Sequence, residues 1–125
     1  MKLTVAFDVD DTLIVPQVAT GLGTDTPNYE IIALYRWFQD QGHEMIIWSG
    51  SGVEYAKRWA ERLGLTADAF PVKGSRLVHV AFDDCTTADL GQVTVHVKRI
   101  NNRISRRVWN ETKGGPGGSQ SAVSA

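Results

Sequence analysis

Short groups of acidic, hydroxyl-bearing and glycine residues follow three apolar segments of this chain, and such side chains suit chemistry on a phosphate ester. In chain order these groups are Asp8, Asp10 and Thr12; Ser49 and Gly50; and Asp83 with Asp84. Carboxylates that gather at one point repel each other at neutral pH, and a bound divalent cation relieves that repulsion. Because the donors are all oxygens, the acids predict magnesium or calcium rather than zinc, and a site with few protein ligands favours magnesium.

A phosphate group would find partners beside these acids. Ser49 offers a hydroxyl, and Gly50 and Gly52 let backbone amides approach an anion just before a predicted helix N-terminus. Lys73 precedes the third main apolar segment and would supply a fixed positive charge, although other cations are alternatives: Lys57, Arg58 and Arg76. Acids with a metal, a hydroxyl donor and a lysine are the parts that phosphoryl transfer needs.

Four apolar segments predict the strands that position these groups. Residues 3–7, 45–48 and 77–82 are almost continuously apolar, which is typical of strands buried on both faces of a parallel sheet. Residues 93–97 alternate between apolar and polar side chains and predict a half-exposed edge strand. Residues 69–72 are a weaker fifth candidate.

Two amphipathic segments between the strands predict helices. The first is expected to open at Thr26 and Pro27, since a capping residue followed by proline is typical of a helix start, and to end at Gly42. Residues 51–54 have a capping-box pattern that opens the second helix, which is expected to stop at Gly64.

Alternating strands and helices predict an α/β fold. Right-handed crossovers would place helices on both faces of a mainly parallel sheet, which makes a three-layer sandwich. Ligands bind such sheets at the carboxyl ends of the strands, where all three polar groups fall. We therefore expect these groups to meet in one crevice.

The motif order resembles that of the haloacid dehalogenase superfamily. The resemblance lies in Asp8-x-Asp10-x-Thr12-Leu13, then Ser49, then Lys73, then Asp83-Asp84, and it covers roughly the first ninety residues. A departure is Asp11, where many members have glycine and others aspartate. The resemblance implies a Rossmann-like core. Since residues 14–25 are only a flap-sized loop and the stretch from Lys73 to Asp83 is shorter, it also implies that there is no cap domain.

The resemblance also implies a mechanism. Asp8 would attack phosphorus and form an aspartyl-phosphate, while Asp10 would act first as general acid and then as general base. Magnesium would be held by Asp8, the backbone carbonyl of Asp10 and either Asp83 or Asp84. The substrate phosphate would meet Ser49, Gly50, Lys73 and Thr12, and Thr12 would also order the loop that carries Asp10.

Composition limits the other functions. The net charge of −1 points neither to nucleic acid nor to a membrane, and a single cysteine, Cys85, excludes an internal disulfide. The apolar segment at the start is too short for a signal peptide, so we expect a cytoplasmic protein. Residues 1–112 are predicted to be the hydrolase core and residues 113–125 a flexible glycine- and serine-rich tail. The basic segment 98–107 is either a solvated helical face or a handle for a polyanion.

The sequence thus predicts a magnesium-dependent phosphomonoesterase. An open crevice and a basic C-terminal segment favour a nucleotide or a nucleic-acid end as the substrate class, and a neighbouring subunit that closes the site remains an alternative for small substrates. A phospho-accepting receiver module uses similar residues in a different order, with its acid pair before the lysine. A family member that binds phosphate without turnover is the third hypothesis.

Overall fold

The computed structural model of this protein describes residues 1–16 and 25–98. The elements of these residues are β1 (Thr4–Asp8), β2 (Ile14–Val15), β3 (Thr26–Pro27), α1 (Tyr29–Asp40), β4 (Glu44–Trp48), α2 (Val53–Leu63), β5 (Val80–Asp83) and β6 (Val93–His96). The predicted tail at 113–125 and the basic segment beyond Lys98 lie outside the described residues. None of the described helices has the length and apolar character that crossing a membrane requires.

A four-stranded sheet with the order β4-β1-β5-β6 forms the centre of the fold. All three strand pairs are parallel, so the predicted α/β class and parallel sheet are confirmed. The almost continuously apolar strands β1 and β4 are both buried, although β4 lies at one end of the strand order. At the other end, β6 is a largely exposed edge strand, as its alternating pattern predicts. Parallel pairing sends the carboxyl ends of all four strands to one edge of the sheet.

Both helices pack against one face of the sheet. On that face Phe7 of β1 stacks on Phe82 of β5 with ring centroids 4.3 Å apart and meets Tyr35 of α1 edge-on at 5.1 Å. Full burial of such a side chain contributes about 1.5–3 kcal/mol. The opposite face carries a smaller cluster that contains no helical residue among those described: Ala6, Ile46, Trp48, Val78 and Ala81, with Ala69 and Leu90 against it. The described residues therefore show helices on one face only.

The predicted start of the first helix is wrong. Thr26 and Pro27 pair with β2 in an antiparallel two-stranded sheet, and α1 begins at Tyr29 after the N-cap Asn28. The extended backbone that a residue before proline prefers suits an N-cap and a strand equally, so the pairing with β2 decides between them. The predicted end holds, because Gly42 follows the last turn with φ of 87°.

The predicted capping box of the second helix does not form. The N-cap of α2 is Gly52, with φ of 109°, and no side chain caps the helix. The Ser51 backbone N–H instead donates to the Ser49 hydroxyl oxygen at 3.0 Å. Gly64 ends α2 in the left-handed conformation, as predicted.

The third strand is shorter than its apolar pattern suggests. It begins at Val80, whereas Leu77 is 95% exposed. Val78 packs on the second face of the sheet outside the strand, so apolar side chains here reflect packing rather than pairing. The weak candidate at residues 69–72 contributes only one bridge, between Ala69 and Ile46.

Candidate functional site

The predicted polar groups lie at the carboxyl edge of the sheet. Asp8 is the last residue of β1 and pairs in register with Trp48, the last residue of β4, so Ser49 follows at the same edge. Asp83 ends β5, which is the other neighbour of β1. The register of three adjacent strands thus brings the three groups to one edge, as expected for ligand sites of parallel sheets.

Lys73 links the two strand-end acids. Its Nζ lies 3.2 Å from Asp8 Oδ1 and 2.6 Å from Asp83 Oδ2. The side chains of Asp8 and Asp83 are 6% and 0% exposed, and that of Lys73 is 24% exposed. The contact with Asp83 joins a partly buried ammonium group to a fully buried carboxylate. Of the predicted cations, Lys73 is therefore the one placed among the acids, whereas Lys57 pairs with Glu54 and Arg76 pairs with Glu44.

The electrostatics of the site favour an added cation. Burial raises the pKa of Asp8 to about 8, and the nearby Asp83 charge adds to the shift while Lys73 opposes it. Burial acts against the charged form of Lys73, yet the charges of Asp8 and Asp83 raise its pKa overall. One lysine thus faces more carboxylate charge than it neutralises.

Three carboxylates could share a metal ion. One oxygen from each of Asp8, Asp83 and Asp84 lies within 4.8 Å of the others. Such a set of oxygens, with excess negative charge, fits a hard divalent cation such as Mg²⁺. The carboxylate of Asp10 is not a member of this cluster among the described residues. Both acids of the Asp83 and Asp84 pair are brought to the predicted metal position.

Asp10 lies in a tight turn beyond β1. The turn passes through Asp11, which has a positive φ of 63°, and is closed by backbone hydrogen bonds from Thr12 and Leu13 to Val9. Asp10 Oδ1 accepts a hydrogen bond of 2.6 Å from the hydroxyl of Tyr55 in α2. The turn therefore carries Asp10 past the end of the strand toward the first turn of that helix.

Tyr55 is a site residue that the sequence analysis missed. Burial, followed by the hydrogen bond to Asp10, raises its pKa. The sequence did contain one indication of its role: Tyr55 follows directly after the predicted start of the second helix, which was expected to lie at the crevice. Its contact with Asp10 spans 45 positions of sequence, so no local pattern marks it.

The remaining predicted residues are Thr12, which contacts Asp8, and Ser49 with Gly50, which follow β4. Thr12 is fully buried, and its hydroxyl donates to Asp8 Oδ2 at 3.3 Å. Ser49 is buried and accepts from the Ser51 N–H, which leaves its own hydroxyl proton for another acceptor. Gly50 is exposed, and a Cβ atom there would meet nothing within 4 Å. Thr12 thus contacts the carboxylate of Asp8 directly, while Ser49 and Gly50 follow β4, the strand beside β1.

Comparison with known proteins found no significant match for this chain. No protein-family model, no curated protein and no solved structure resembles it closely enough to be reported as similar. The functional assignment therefore depends on the residues at the carboxyl edge of the sheet and on their geometry.

Proposed function

We propose that this protein is a magnesium-dependent phosphomonoester hydrolase of the haloacid dehalogenase type, with Asp8 as its nucleophile. The observation that carries the proposal is the position of Lys73, 3.2 Å from Asp8 and 2.6 Å from Asp83 at the carboxyl edge of a parallel sheet. A buried carboxylate beside a lysine and further acids suits attack on a phosphoryl group whose oxygens need positive partners.

The proposal includes the three-layer, Rossmann-like core of that superfamily without a cap domain. The parallel order β4-β1-β5-β6 supports the core. The short pairing of β2 with β3 supports the absence of a cap, because Val15 pairs with Thr26 and the ten positions between them are too few for a further domain. An open site of this kind suits a bulky substrate.

The first step transfers the phosphoryl group to the enzyme. A carboxylate oxygen of Asp8 attacks phosphorus, the bond from phosphorus to the leaving oxygen breaks, and Asp10 gives its proton to that oxygen. Lys73 and the Ser49 hydroxyl stabilise the charge on the phosphoryl oxygens. Thr12 holds the attacking carboxylate through its 3.3 Å hydrogen bond. The products of this step are an alcohol and an aspartyl-phosphate.

The second step releases phosphate. Asp10, now ionised, takes a proton from a water molecule, whose oxygen attacks phosphorus as the bond to the Asp8 oxygen breaks. Asp8 returns as a carboxylate, and Asp10 is again protonated. One carboxyl group therefore serves both steps, which its place two residues beyond Asp8 allows.

Mg²⁺ would be held by Asp8, by Asp83 or Asp84, and by the backbone carbonyl of Asp10. When bound, the ion neutralises charge on the phosphoryl oxygens and on the carboxylate cluster. With part of the carboxylate charge neutralised in this way, the ammonium group of Lys73 would be free to bind a phosphoryl oxygen. The sharing of Lys73 between Asp8 and Asp83 supports this division of charge.

A panel of phosphomonoesters tests the proposal. Nucleotides, phosphorylated nucleic-acid ends and sugar phosphates are assayed with Mg²⁺ and with a chelator, and we expect nucleotides or nucleic-acid ends to be turned over best. Asp8→Asn should abolish turnover while the protein stays folded. Release of no phosphate from any of these esters by the folded wild-type protein would contradict the proposal. A phosphoryl group that stays on Asp8 for hours would instead indicate a phospho-accepting module.

A further inference from the structure

The hydroxyl of Tyr55 lies 2.6 Å from Oδ1 of Asp10, a residue 45 positions away in the chain. That distance is in the range of hydrogen bonds from a hydroxyl to an oxygen acceptor. Tyr55 has no part in the phosphoryl transfer steps described above. It does contact the one carboxylate that has to move a proton in both of them.

Tyr55 is a rigid support for this contact. It lies in the first turn of α2, which starts after Gly52, and its ring packs against the main core while its hydroxyl faces Asp10. The guanidinium carbon of Arg58 lies 6.0 Å from the centre of the ring. A tyrosine side chain has two main rotatable torsions, so ring packing fixes the position of the hydroxyl.

Asp10 needs such a support because its backbone is not part of the parallel sheet. It lies in the turn through Asp11, and its one isolated backbone bridge, to Ile14, does not hold its side chain. A carboxyl group on a turn can rotate between several orientations, whereas proton transfer needs one orientation within a few tenths of an ångström.

We propose that Tyr55 is a positioning residue for Asp10, which orients the carboxyl group by binding Oδ1 and leaves Oδ2 to exchange the proton with the leaving oxygen. This inference rests on the proposed function. In the first step the proton passes from Oδ2 of Asp10 to the leaving oxygen as the phosphorus–oxygen bond breaks. The hydrogen bond from Tyr55 to Oδ1 is kept throughout, and Tyr55 neither gains nor loses a proton.

The leaving group distinguishes positioning from a merely structural role. An alkoxide is a poor leaving group and depends on proton donation, whereas 4-nitrophenolate leaves with little help from an acid. Loss of the Tyr55 hydroxyl should therefore lower kcat/KM for an alkyl phosphate much more than for 4-nitrophenyl phosphate. A general acid typically contributes about 10²–10⁴-fold, so loss of its orientation should cost about tenfold or more on the alkyl ester.

Tyr55→Phe is the test variant, because it removes the hydroxyl and keeps the ring. Tyr35→Phe is the matched control: the Tyr35 hydroxyl also makes a 2.6 Å hydrogen bond, but to the backbone oxygen of Thr66, away from the carboxyl edge. Thermal unfolding of both variants shows whether they are folded. Asp10→Asn gives the effect expected when the acid is lost altogether.

A selective loss on the alkyl ester in Tyr55→Phe, absent in Tyr35→Phe, would support the inference. An equal loss on both esters, or no loss on either, would overturn it, and the proposed function would stand because the wild-type protein still turns over both. Failure of the folded wild-type protein to hydrolyse either ester with Mg²⁺ would overturn the proposed function and this inference together.

Discussion

The ammonium group of Lys73 lies 3.2 Å from a carboxylate oxygen of Asp8, although 65 positions separate the two residues. The same nitrogen is 2.6 Å from Asp83 on the neighbouring strand. A single cation therefore joins the ends of two adjacent parallel strands. The positive charge of Lys73 reduces the repulsion between the acids at this edge of the sheet. The charges and the backbone around Lys73 lead to four predictions.

Replacement of Lys73 by methionine should remove both the phosphate partner and the charge that balances the acids. We expect kcat/KM to fall by about 10²-fold or more, the cost of losing one electrostatic partner of the transition state. The free energy of unfolding without metal should fall by about 1–3 kcal/mol, since two buried carboxylates lose a partner. Lys57→Met is the control, because Lys57 is 53% exposed and pairs only with Glu54 in the same helix. Equal losses in the two variants would contradict this view of the site.

The metal-free protein should lose stability as pH rises from about 4 to about 8. Asp8 has a folded-state pKa raised to about 8 from 3.8, first by burial, so the folded state holds a proton through this window that the unfolded state has lost. Stability therefore falls with pH and levels off above about 8. Asp8→Asn should remove this contribution and be more stable than the wild type at pH 8 by more than about 1 kcal/mol.

Urea unfolding at pH 5 and pH 8 in the presence of a chelator measures this dependence. Asp40→Asn, a change at the exposed end of α1, should keep the wild-type slope. The expectation fails if Asp8→Asn and the wild type show the same change of stability with pH.

Magnesium should stabilise the folded protein through the acids at the carboxyl edge. At a concentration of 100 times its dissociation constant, an ion that binds only the folded state adds about 2.7 kcal/mol. Asp84→Asn should lose most of the Mg²⁺-dependent rise in Tm, because Asp84 supplies one of the three carboxylate oxygens of the cluster. Asp89→Asn, at an exposed position, should keep it. An unchanged Mg²⁺ response in Asp84→Asn would exclude this residue from the metal site.

Gly52 should be intolerant of a side chain. Its φ of 109° and ψ of 168° are almost confined to glycine, and it is the N-cap of the helix that carries Tyr55. Gly52→Ala should cost about 1–3 kcal/mol of stability, as measured by urea unfolding. Gly50→Ala is the matched control, since Gly50 does not have a positive φ and an added Cβ would meet nothing within 4 Å. A loss in Gly50→Ala as large as that in Gly52→Ala would show that the effect is not one of backbone strain.

Much of this arrangement could be predicted from the sequence because it depends on short-range patterns. Residues 3–7 and 45–48 are almost continuously apolar, and strands with that pattern are buried on both faces of a parallel sheet. Once those strands are parallel and adjacent, the residues after them must share an edge. That is why the sequence pattern alone predicts that Asp8, Ser49 and Asp83 lie at one edge of the sheet.

The boundaries of the elements were less predictable because they depend on partners distant in sequence. Thr26 and Pro27 have the residue types of a helix start, yet pairing with β2 makes them a strand. Leu77 begins an apolar run, yet it is exposed because the chain enters the sheet only at Val80. The intrinsic preference of a residue for helix or strand is worth less than about 1 kcal/mol, and the free energy of a few tertiary contacts exceeds it.

The sequence by itself determined the parallel α/β class and the edge at which the strand-end acids meet, because side-chain pattern controls which segments are buried. Only the tertiary structure decided that Lys73 joins Asp8 to Asp83 and that Tyr55 holds Asp10. Tyr55 lies at the start of α2, and Lys73 lies in the chain that follows α2. Whether their side chains reach the acids therefore depends on how α2 and the chain after it pack on the sheet. Packing of that kind is a property of the whole fold, and no local spacing encodes it.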